Sequence, residues 1–159
     1  MGVYEDLCIA NDWVEIEETD RLPSFQPGFY RNGKIYIKSS LSETRKAEVL
    51  YEELAHHKLT YGNILDQSTF NNRKFENYAR RHGYENSISL NKIIDAYKYG
   101  VSSLYEFAEY VQLSEEYVHT VLQHYKNKFG LSTYHNGYLI RFEPLQVYKY
   151  KKMTTEEEK

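Results

Sequence analysis

The sequence predicts an α+β fold: a small antiparallel sheet near the N-terminus, a helix packed on it, and a mostly helical C-terminal half that ends in a hairpin. Two Asn-Gly pairs, Asn32-Gly33 and Asn136-Gly137, each sit between alternating runs, the strongest short-range hairpin signal in a sequence. Between them, from Ser42 to Gly130, apolar residues recur at helical spacing. The 159 residues, 41% hydrophobic and 27% charged, suit one globular domain with a sizeable core and argue against wholesale disorder.

The elements follow in order. Val14 and Ile16 alternate with Glu15 and Glu17, a short strand, before Pro23 and Pro27-Gly28 mark a loop. Phe29–Arg31 and Lys34–Ile37 flank the first Asn-Gly turn and form a hairpin. Ser40 or Ser42 opens a helix on which Ala47, Leu50, Tyr51, Leu54 and Ala55 share one face as far as about Leu59. Glu52 and His56, about 40° apart at 100° per residue, lie on the opposite side with Glu53 beside them. Tyr61-Gly62-Asn63 breaks that helix, and Ser68 or Thr69 caps a third element that carries Phe75, Glu76, Tyr78 and Ala79 and stops near Gly83.

The helical pattern resumes with Ile88, Leu90, Ile93, Ile94 and Tyr97 and ends at Gly100. Ser103-Leu104-Tyr105-Glu106 is a capping box for a short helix, and Ser114 caps a longer one, so the two form a helix-turn-helix-like pair. The second hairpin pairs Ser132–Tyr134 with Tyr138–Ile140. This organisation divides the chain into a core over residues 1–84, a helical subdomain over 85–148 and a charged flexible tail over 149–159.

Charge and cysteine content narrow the function classes. The net charge of −3 and the lack of a basic stripe argue against a dedicated nucleic-acid binder. Residues 102–143 hold Lys126, Lys128 and Arg141 against Glu106, Glu109, Glu115, Glu116 and Glu143, an acidic balance that disfavours phosphate contact by the helix-turn-helix-like pair. Residues 1–20 carry seven acids and no base, whereas residues 21–50 carry six bases against two acids, which reads as two solvated surfaces of opposite sign. The single Cys8 can form no internal disulfide, no signal-peptide pattern opens the chain and no apolar run reaches the roughly 18 residues a bilayer needs. A soluble cytoplasmic protein is the expectation.

Glu52-Glu53-Leu54-Ala55-His56 carries the chemistry. It has the spacing of the H-E-x-x-H helix, where groups at i and i+4 hold a metal and the intervening Glu serves as general base, although the first position here is Glu. A carboxylate is a competent ligand, and Glu76 on the next element is the candidate third. The motif together with Gly28–Ile37, Gly62–Ser68, Asn72–Arg81, Tyr105–Tyr110 and Phe142–Pro144 resembles the ImmA/IrrE family of metallopeptidases, its phage and mobile-element branch in particular.

That resemblance implies a zincin-like motif helix and one divalent metal held by Glu52, His56 and the Glu of an E-x-x-A segment, matched by Glu76 and Ala79, with Glu53 as catalytic base. Asp66 is a further candidate for ligation or for orienting a ligand, and His57, at the edge of the apolar face, for packing or outer support of the site. The resemblance also implies a bacterial cytoplasmic antirepressor that cleaves a helix-turn-helix transcriptional repressor. The alternative is a degenerate relative that docks on the repressor without cutting it. Two carboxylates and one imidazole neutralise a divalent cation, where two imidazoles and one carboxylate leave +1, so a slower enzyme is expected. Zinc is the expected ion, and the oxygen-rich set makes manganese the alternative.

Overall fold

A computed structural model of the chain describes residues 2–61 and 72–150. Asp66, Ser68, Thr69 and all but the first two residues of the expected tail lie outside the described residues. The order is α1 (Val3–Ala10), β1 (Glu15–Thr19), β2 (Gly28–Arg31), β3 (Lys34–Lys38), α2 (Glu43–Tyr61), α3 (Asn72–Ser87), α4 (Leu90–Tyr99), α5 (Leu104–Val111), α6 (Glu115–Phe129), β4 (Ser132–His135), β5 (Tyr138–Phe142) and β6 (Leu145–Lys149). The fold is α+β, with two three-stranded sheets around a helical middle.

Both Asn-Gly pairs form the expected hairpin turns, and Asn32, Gly33, Asn136 and Gly137 all take the positive φ that such tight turns require. The first sheet is mixed, not purely antiparallel. Its order is β1-β3-β2, and β1 runs parallel to β3 with Ile16 opposite Ile35. The loop through Pro23 and Pro27 carries the chain past the central position to the far edge, so β3 returns between the other two strands. Charge favours this register: Lys34 on β3 lies 3.2 Å from Glu15 and 2.7 Å from Glu17 on β1. Lys46 on α2 lies 2.6 Å from Glu18. The acidic and basic blocks of the sequence therefore meet each other in part, where separate solvated surfaces were expected.

α2 lies across this sheet. Ala47, Leu50, Tyr51 and Ala55 are buried as its spacing requires, against the fully buried Ile35 and Ile37 of β3. Its other side is covered as well, because α3 packs along it. Gly83 does not end α3; the helix runs through it to Ser87. A Cβ at Gly83 would stand 3.2 Å from both the Cα of Glu52 and the carbonyl oxygen of Tyr51, so the missing side chain is what lets the two helix backbones approach. That packing advantage outweighs the roughly 1 kcal/mol cost of glycine within a helix.

The C-terminal half is built on strong local signals. Ser89, Ser103 and Ser114 cap α4, α5 and α6 by accepting from the amides of Lys92, Glu106 and Tyr117, and Gly100 closes α4 in the left-handed conformation. Phe107, Val118, Val121 and Tyr125 fill the core between these helices and the second sheet, and the Tyr125 hydroxyl donates to the carbonyl of Ile88 at 2.6 Å. Two elements lack an obvious sequence signature. α1 begins without a side-chain cap, and β6 extends the expected C-terminal hairpin to a three-stranded sheet.

Candidate metal centre

α2 and α3 run antiparallel, and their facing side chains form a two-rung ladder. Nε2 of His56 lies 3.2 Å from Oε2 of Glu76, and one turn away Oε1 of Glu52 lies 3.7 Å from Nε of Arg80. The two rungs are four residues apart on each helix, so both side chains of a helix project from one face. The outcome is that Glu52, His56 and Glu76 each offer a ligand atom, and these atoms all lie within 4.8 Å of one another. Two carboxylate oxygens and one imidazole nitrogen at that spacing are a fitting donor set for a single divalent cation.

Burial grades the set. His56 is buried, with its ring 5.7 Å from that of Phe75, whereas the Glu76 side chain is half exposed and Glu52 one-third exposed. The centre thus has a protein-facing imidazole and a solvent-facing carboxylate side, an arrangement that leaves access from water.

Glu53 is 8% exposed. Its carboxyl group is pushed up to about 8, first by burial and then by the negative charges of Glu52 and Glu76. Gly28, the first residue of β2, packs directly beneath it. A Cβ there would lie 3.2 Å from Cγ and Oε1 of Glu53 and would collide with Cγ1 of Val49. The polar side of α2 is therefore not solvated, as the helical projection alone suggests, but roofed by α3 and by the edge strand β2.

His57 projects elsewhere. Its ring lies 5.1 Å from that of Trp13 and 5.5 Å from that of Tyr30, edge-on to the latter, and burial lowers its basicity. It is not in the three-residue cluster. Asp66 falls outside the described residues. Three features of the site escaped the sequence reading. Arg80, which the helical spacing places one turn from Glu76 on its own helix, pairs across to Glu52. Gly28 and Gly83, read as loop and helix end, are close-contact positions, and only their placement beside a strand start and inside a helical pattern could have signalled this.

Among the described residues no helix is long and apolar enough to cross a membrane. No curated protein and no solved structure matches the chain. A family model does: that of the IrrE N-terminal-like domain, peptidase family M78, matches residues 17–123. The matched stretch runs from β1 into α6 and takes in the whole ladder, so the chain that brings Glu52, His56 and Glu76 around a buried Glu53 belongs to the IrrE N-terminal-like family of metallopeptidases.

Proposed function

We propose that this protein is a metal-dependent endopeptidase of the phage and mobile-element branch, an antirepressor that acts in the bacterial cytoplasm by cleaving a helix-turn-helix transcriptional repressor. The observation that carries the reading is the convergence of Glu52, His56 and Glu76 on one spot beside the buried carboxyl of Glu53. Glu52, His56 and Glu76 would hold the ion, zinc first and manganese second, given the mixed oxygen and nitrogen donors. When bound, a divalent cation there supplies Lewis acidity, which polarises a peptide carbonyl and acidifies water.

Glu53 does the proton work. Its buried carboxylate accepts a proton from the attacking water and delivers it to the departing amide nitrogen, and the cover that α3 and the start of β2 place over it limits competition from bulk water for that proton. β2 is an edge strand that starts at Gly28, against Glu53. An extended peptide adding to that edge would carry its backbone past the Glu53 carboxyl. A repressor segment that can be drawn into an extended conformation fits this geometry better than a folded surface.

The test is incubation of the purified protein with the repressor encoded beside it, with and without a chelator. Defined fragments that disappear on chelation support the enzyme. An intact repressor in a stable complex, with metal present, replaces this reading with that of a binding antirepressor.

A further inference from the structure

We infer that Arg80 is the charge-compensating residue of the centre, and that Glu52 and Arg80 act together as a substitute for one neutral ligand. The inference rests on the metal-site reading above and concerns how this chain tolerates a second carboxylate. The ladder places Nε of Arg80 3.7 Å from Oε1 of Glu52, on the same face of α3 as Glu76 and one turn beyond it. Arg80 and Glu52 both line a solvent-open polar groove of about 560 Å³ that Arg45, Glu48 and Ser114 also line, so the ion pair stands at the edge of the centre with the guanidinium half in water.

The charge arithmetic gives the pair its meaning. Glu52, Glu76 and a neutral His56 carry two negative charges, which cancel a divalent cation and leave little electrophilic pull. With Arg80 included, the assembly returns to +1, the value that two imidazoles and one carboxylate give. A guanidinium is suited to this because it stays protonated under all working conditions. The same positive charge works against capture of the cation, since it repels the ion and competes with it for the Glu52 carboxylate. Arg80 thus lowers metal affinity while it preserves the charge of the loaded centre.

This sign separates charge compensation from a merely structural role. If Arg80 only held Glu52 in place, its loss would weaken metal binding; as a compensating charge, its loss strengthens it. Calorimetric titration of the metal-free full chain with zinc, and separately with manganese, reads the difference. Arg80→Gln is expected to bind about fivefold more tightly than wild type, the effect of a half-exposed charge near the top of its usual range, and Arg80→Lys to restore wild-type affinity. In a Glu52→His background the same Arg80→Gln change has a smaller effect, because the competing ion pair is gone. On a cleavable substrate, Arg80→Gln lowers kcat despite its tighter metal. Weaker or unchanged metal binding by Arg80→Gln overturns the inference and leaves the metal-site reading intact, whereas a wild-type protein that binds neither ion overturns both.

Discussion

Lys46 and Glu48 in the first half of α2, and Glu53 and His56 in the second, are all more than nine-tenths buried, yet the two halves treat their charge in opposite ways. Lys46 meets Glu18 at 2.6 Å and Glu43 at 3.3 Å. Glu48 accepts from the backbone amide of Ser114 at 3.0 Å and from its hydroxyl, with Arg45 at 3.6 Å. Both are compensated, and each ties α2 to another element, β1 in one case and the start of α6 in the other. Glu53 instead faces the like charges of Glu52 and Glu76. Compensated buried charge serves the fold, and a buried carboxyl set among other carboxyls is a cost to the fold that a reaction centre explains.

The comparison is broken most severely at Glu53. Glu53→Gln is expected to keep the metal and to cut the proposed repressor substrate about 10²- to 10⁴-fold more slowly, the usual worth of a general base. Cleavage at the wild-type rate would remove Glu53 from that role. The same residue predicts a pH dependence of the metal-free protein. Its carboxyl rises from 4.5 to about 8 on folding, so the folded state holds the proton more tightly. That contribution is fully present below 4.5 and is lost as pH rises through 8. Thermal melts in chelator should therefore fall across this window in wild type and lose that slope in Glu53→Gln; parallel profiles would show that the buried carboxyl does not titrate in this way.

Ser114→Ala probes the other half of α2. It removes the cap of α6 and strips the buried Glu48 of a donor, so a stability loss of about 2 kcal/mol is expected in denaturant titration. Metal affinity should stay at the wild-type value, because the first half of the helix serves the fold alone. A Ser114→Ala protein with weakened metal binding would show that the two halves are not separable.

Gly83→Ala has the smallest expected effect on stability, about 1 kcal/mol, since the overpacking penalty is partly offset by the better helix propensity of alanine. Its informative readout is the centre. The new methyl group would press on backbone atoms of Tyr51 and Glu52 and so spread the two helices that hold the donors apart. Zinc titration should show weaker binding, and an unchanged Kd would mean that the close helix approach does not set the donor spacing.

What was legible in the sequence divides along a physical line. Features written in neighbouring residues were readable: the Asn-Gly turns, the serine caps of α5 and α6, the apolar face of α2 and the five-residue motif itself. Glu76 could be named as the candidate third ligand on the next element, and the E-x-x-A segment of the family resemblance pointed to the same residue. The pairing of Arg80 with Glu52 could not, because it depends on how two helices pass each other. The parallel placement of β1 was hidden for a related reason: alternation reveals a strand but not its neighbour. Burial of Glu53 was the least accessible, since a helical projection puts it on a polar face and only the arrival of α3 and β2 turns that face into an interior.

The central claim, that Glu52, His56 and Glu76 hold a metal, is tested most directly by elemental analysis of the purified protein beside His56→Ala. The account predicts about one equivalent of a transition metal in wild type and its loss in the variant. No metal in either protein, even after reconstitution with zinc or manganese, would contradict it.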